Sequence, residues 1–132
     1  MKRDVKQVIV LRKDLNMRKG KMVAQGAHAS MKVFFDMMGQ HDDGSLVIDE
    51  DNLTDAIQQW IDGAFAKVCV GVNSEQELGS IYQQAKEAGL PCAIITDAGR
   101  TEFNGVPTKT AVAIGPAYVD EIDQITGKLT LL

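Results

Sequence analysis

The chain has 132 residues, 45% of them hydrophobic, and a formal net charge of −4 at pH 7. That length fits one domain, residues 1–132, with room for a buried core. The acidic balance argues against a uniformly basic nucleic-acid surface, and no run of about 18 apolar residues is present to cross a membrane. The N-terminus is charged and then strand-like, without the apolar region of a signal peptide, so a cytoplasmic protein is expected.

Val5 to Leu11 is β-rich and bounded by charges, which predicts a buried strand. Asp14 to Gly20 is a turn-prone, basic connection. Lys21 to about Met38 predicts a helix whose core stripe is Val23, Ala27, Met31, Phe34 and Met38. Lys21, Gln25 and His28 stand at i, i+4 and i+7, within an arc of about 60°. Their arc lies about 120° from the centre of that stripe, beside the core.

Gly39 to Asp51 reads as an acidic loop, and residues 42–55 hold six carboxylates without a Lys or Arg. The N-terminal third outside it is basic. Leu53 to Ile61 predicts a second helix with Asn52 as its cap. Ala66 to Val72 is a strand. A helix starts at Asn73-Ser74-Glu75 and runs to about Ala88, with Gly89 beyond its end. Pro91 to Thr96 is a strand, Asp97 to Pro107 a loop, and Lys109 to Ile114 another strand. Gly115-Pro116 opens a last helix, with Asp120 and Glu121 near its positive end. Leu129 to Leu132 adds a short strand.

The alternation predicts an α/β three-layer sandwich, a mixed sheet of about four strands flanked by helices. The crossover from Val72 to Pro91 makes the strands it joins parallel, and the strand after the loop runs antiparallel. Ligands in such sheets gather beyond the carboxyl ends of strands. Asp97 and the approach to Lys21 both fall there. Cys69 and Cys92 lie in apolar runs and read as buried, reduced thiols. Two histidines and two cysteines match no zinc spacing, and no phosphate-loop motif is present, so no metal or cofactor is expected.

Two segments carry the chemistry, Met17 to Ala29 and Asp97-Ala98-Gly99-Arg100-Thr101. Together they supply a cation, two acid/base candidates, an amide and a hydroxyl, a set able to polarise a carbonyl and orient a water. Each residue also has a plainer reading. Lys21 as a solvated cation, His28 as a structural histidine, Asp97 as a turn residue bonded to its own backbone and Thr101 as a turn cap all fit ordinary proteins.

Both segments, in this order, resemble the type 2 peptidyl-tRNA hydrolase family. The resemblance extends through Val8 to Arg12, Asp14-Leu15, Trp60 to Gly63, Lys67, Gly89-Leu90-Pro91, Thr110 to Pro116 and Asp120 to Leu129. It implies cleavage of the ester joining a stalled peptide to the 3′ ribose of tRNA, without a cofactor, by a homodimer acting in translation. It also implies Lys21, His28 and Asp97 as the catalytic set, with Gln25, Thr101 and Thr110 positioning water or substrate hydroxyls. Arg18, Lys19 and Arg100 match basic positions suited to phosphate. The chain departs from the family in its long acidic segment, Gln40 to Asp51, and at Gly26 and Glu102. Two other readings keep the fold: a non-catalytic tRNA- or protein-binding module, and a hydrolase of another acylated tRNA.

Overall fold

The computed structural model describes residues 3–100 and 102–132. Strands β1 (Val5–Arg12), β4 (Lys67–Val72), β5 (Cys92–Asp97), β6 (Thr108–Tyr118) and β7 (Thr130–Leu131) form one sheet in the order β5-β6-β1-β4-β7. β1 runs parallel to β4; β6 is antiparallel to both β1 and β5, and β7 is antiparallel to β4. β4 and β5 therefore point the same way, as their crossover requires, although β1 and β6 lie between them. The sheet is mixed, and the short C-terminal strand expected from Leu129 to Leu132 is its fifth member, β7.

Alternation along the strands divides the core in two. Val8, Val10, Val70, Val72, Val112 and Ile114 face helices α3 (Glu75–Glu87) and α4 (Val119–Thr126). Ile9, Leu11, Ala93, Ile95, Ala111 and Ala113 face helix α1 (Lys19–Phe35). Helix α2 (Asp55–Asp62) joins the α1 layer, where Trp60 stacks on Phe34 with ring centroids 5.8 Å apart. The result is the expected three-layer arrangement.

Several local expectations are corrected. α1 begins two residues earlier than predicted and ends at Phe35. Its buried residues are Gln25, Gly26, Ala29 and Val33, whereas Val23 is 72% exposed and Ala27 and Met31 also face outward. The reason is steric: α1 packs on a patch carpeted by Ala93, Ala111 and Ala113, and its Gly26–Ala29 ridge allows the closest approach. The large residues turn outward.

Residues 38–52 are not a plain loop. β2 (Met38–Gln40) and β3 (Leu46–Ile48) make a separate antiparallel hairpin, followed by a short 3-10 turn at Glu50–Asn52. The cap of α2 is Thr54, whose hydroxyl accepts from the Ile57 N–H at 3.1 Å, not Asn52. Gly115-Pro116 opens no helix. It lies inside β6, where the register against β1 slips between Lys6 and Val8, and proline is tolerated at such bulges. Cys69 and Cys92 are free thiols, but Cys69 is exposed, on the wall of an open groove beside α1. Burial pushes the half-buried Cys92 thiol up from its ordinary pKa.

β6 joins both cores and borders both β1 and β5, so stability concentrates there. Ile114→Ala, at a fully buried β6 position, should cost about 2–5 kcal/mol in equilibrium urea unfolding. A cost below about 1 kcal/mol would mean that this layer is not close-packed.

Candidate active site

The carboxyl ends of β1 and β5 lie at one edge of the sheet, and α1 starts above them. Asp97 closes β5 and keeps the parity of Ala93 and Ile95, so its side chain rises on the α1 side. Thr110 should by strict alternation share the opposite face with Val112 and Ile114. It does not. Ile95 pairs with Ala111 but Thr96 pairs with Lys109, leaving Thr110 as the extra residue of a bulge. The bulge turns its side chain back toward α1.

Gln25 meets both groups from the buried face of α1. Thr110 Oγ1 donates to Gln25 Oε1, and Gln25 Nε2 donates to Asp97 Oδ1 at 3.1 Å. The amide has only this orientation available, because an ionised carboxylate accepts and cannot donate. Lys21 Nζ, one turn earlier, lies 3.0 Å from the same Oδ1. Both side chains are largely buried, at 13% and 15% exposure. The Gly99 N–H donates to Asp97 Oδ2 at 2.8 Å.

Hydrogen bonding to Lys21 holds the Asp97 carboxyl below its ordinary pKa, with the Gly99 N–H and Gln25 acting in the same direction against burial. Asp97 is therefore ionised at neutral pH. A carboxylate offers about four acceptor positions, and three are taken by the described residues. The loop after Asp97 is shaped by Gly99 at φ +80°, whose added Cβ would lie 2.2 Å from the Val106 carbonyl oxygen. Only glycine fits that close approach.

The other expected residues fall in different places. His28 is exposed, two turns along α1 from Lys21, and makes no hydrogen bond or ion pair with the described residues. At about 1.5 Å per residue it sits roughly 10 Å farther along the helix axis. Arg18 precedes α1 at the mouth of the site and pairs with Glu102 at 2.8 Å. Arg100 is exposed on the loop; Thr101 lies outside the described residues. Lys19 borders an apolar groove on the β4 side of α1, away from Asp97. Sequence reasoning missed Phe103, which packs against the α1-side core and puts its ring centroid 5.6 Å from Lys21 Nζ. An aromatic residue inside a Gly-containing polar loop was the available signal.

Comparison with known proteins is decisive at this point. The family model described as Peptidyl-tRNA hydrolase PTH2 matches residues 5–132. The chain belongs to this family. It is 46% identical over 128 residues to the peptidyl-tRNA hydrolase of Methanocaldococcus jannaschii, covering 97% of this chain and 100% of that protein. The peptidyl-tRNA hydrolase of Halobacterium salinarum is 43% identical over 128 residues, 96% of this chain and 99% of its own. That of Sulfurisphaera tokodaii is 40% identical over 127 residues, 96% and 98% respectively. Among the described residues no helix is long and apolar enough to cross a membrane, and no group of three or more His, Cys, Asp or Glu is arranged to hold a metal ion.

The lowered pKa of Asp97 has a sign that stability measurements can read. Its contribution is complete above the ordinary value of 3.8 and is lost as pH falls through the lower folded-state value. The difference in unfolding free energy between wild type and Asp97→Asn should be constant above about pH 5 and shrink below about pH 4. A difference that grew on acidification would reverse the assigned charge state.

Proposed function

We propose that this chain, acting as one domain, hydrolyses peptidyl-tRNA to free peptide and tRNA. The observation that carries the reading is the Lys21–Asp97–Gln25–Thr110 network, drawn from three elements onto one sheet edge. These four residues are among those the family resemblance implies, and the relatives named above carry the same activity in their names.

In this reading water attacks the ester carbonyl, and negative charge develops on the carbonyl oxygen. The Lys21 ammonium stabilises it, which is worth most in a water-poor site. Asp97 holds that ammonium in place and accepts a hydrogen bond from the attacking water at its remaining acceptor position. Gln25 and Thr110 keep the carboxylate aimed, and Thr101 contacts substrate. The bond from the carbonyl carbon to the ribose oxygen breaks, and that oxygen takes the proton lost by water. His28 is assigned to the substrate's approach or to proton relay, because its place along α1 separates it from the Asp97 carboxylate.

Arg18, Lys19 and Arg100 would meet RNA phosphates. The acidic hairpin does not oppose this, because it follows the far end of α1, a helix about 25 Å long. Such an activity belongs to translation and supports the reading of a cytoplasmic protein. The homodimer is assigned to the apolar groove formed by Val23, Ala27, Cys69 and Leu132. Val23→Glu should then leave a monomer in light scattering, and a wild type that is already monomeric at micromolar concentration would remove this assignment.

Lys21→Ala and Asp97→Asn should each lower single-turnover hydrolysis of N-acetyl-aminoacyl-tRNA in chelator by more than about tenfold, or about 1.4 kcal/mol. The two losses should combine non-additively, since both groups serve one transition state. His28→Ala should cost less than either. Near-normal rates in folded Lys21→Ala and Asp97→Asn would bring the non-catalytic binding module to the front. Turnover of unblocked aminoacyl-tRNA at a comparable rate would favour a broader acylated-tRNA hydrolase.

A further inference from the structure

A cleft of about 520 Å³ opens beside the start of α1, lined by Arg18, Gly20, Lys21, Ala24 and Glu102. Its cations are Arg18 and Lys21, and each already faces a carboxylate. Lys21 faces Asp97, which is fastened by Lys21, Gln25 and the Gly99 N–H. Arg18 faces Glu102 through a single Nε–Oε1 contact of 2.8 Å. Among the described residues that is the only hydrogen bond Glu102 makes. Arg18 is 83% exposed, whereas Glu102 is 14% exposed and folded in against the cleft. α1 itself begins without a side-chain cap and with no acidic residue in its first turn. The free cleft is thus charge-balanced, and its two anions are held very unequally.

An RNA phosphate entering this cleft needs a cation, and an exposed guanidinium is the group best shaped to take two of its oxygens. Glu102 engages only the Arg18 Nε–H, but its carboxylate sits where it repels a phosphate brought to the same guanidinium. Asp97 cannot yield without dismantling the catalytic network; Glu102 can swing out at the cost of one ion pair whose Arg18 side faces solvent. We propose that Glu102 stands in for a substrate phosphate at the mouth of the site, so that tRNA docks by displacing its carboxylate from Arg18. Glu102 thereby sets the strength and salt dependence of docking through Arg18, as a positioning residue. The proposal rests on the peptidyl-tRNA reading, but its primary test needs no turnover.

The test compares the affinity of wild type, Glu102→Gln, Arg18→Gln and the double variant for deacylated tRNA, by fluorescence anisotropy. Glu102→Gln should bind about two- to fivefold tighter at low salt, the range an exposed ion pair supplies. The gain should fade as salt screens the pair and vanish in the Arg18→Gln background. With peptidyl-tRNA it should fall on KM rather than kcat. Glu102→Ala, which removes the acceptor as well as the charge, should give at least the same gain and guards against a folding defect peculiar to one variant. An unchanged affinity in both Glu102 variants would overturn the proposal. So would an equal gain with and without Arg18, which would reduce Glu102 to a general source of repulsion. A wild type that binds tRNA but never releases the peptide would instead sink the hydrolase reading alone.

Discussion

An amide buried between a helix and a sheet must find partners for both its ends, and Gln25 is such an amide. Leaving it unsatisfied would cost about 1–3 kcal/mol. Its oxygen requires a donor and its nitrogen an acceptor, on a face of α1 otherwise built from Gly26, Ala29 and Val33. Thr110 and Asp97 meet those needs, and each does so only through a specific backbone feature. Thr110 depends on the β6 bulge, and Asp97 on its place at the last position of β5. Asp97 in turn fixes Lys21 and the Gly99 turn. The site is therefore a consequence of one polar residue placed in an apolar interface.

The same helix separates the protein's charges. Its start carries Arg18, Lys19 and Lys21, and its end leads into the hairpin and 3-10 turn that hold Asp42, Asp43, Asp49, Glu50 and Asp51. With screening over about 10 Å at moderate salt, carboxylates a helix length away exert little force at Lys21. A net charge of −4 is thus compatible with a mouth that gathers cations, two of them paired with carboxylates. The sum over the chain hides a gradient along one element.

Local chemistry in the sequence anticipated much of this arrangement. Ser74 caps α3 by accepting from the Glu77 N–H, and Gly89 follows its end at φ +72°, as their residue types require. The strand pattern from Val5, Lys67 and Cys92 was legible because alternating or continuous apolar runs have few other uses. Lys21, Gln25 and Asp97 were legible as a group through their spacing and family motif. The α1 stripe was not. Periodicity marks which residues share a face, but the choice between a large-residue face and a small-residue face depends on the surface opposite. Here that surface is a field of alanines from β5 and β6, which favours close approach over bulk. Thr54 in place of Asn52, and the hairpin in place of a loop, likewise depended on neighbours that local signals do not contain.

What the sequence by itself determined is the strands of the main sheet and the four α-helices, the parallel sense of the β4–β5 crossover, and the chemical groups of the site. These follow from properties carried within short windows: side-chain polarity, capping hydroxyls, glycine dihedrals and the length of a crossover. Tertiary structure alone decided that Thr110 turns to α1, that Gln25 is core while His28 is surface, and that Glu102 reaches Arg18. Each of those depends on register or on contact between residues far apart in the chain. A single extra residue in β6 reverses which face a side chain takes, and no composition or spacing along one strand records where its partner slips.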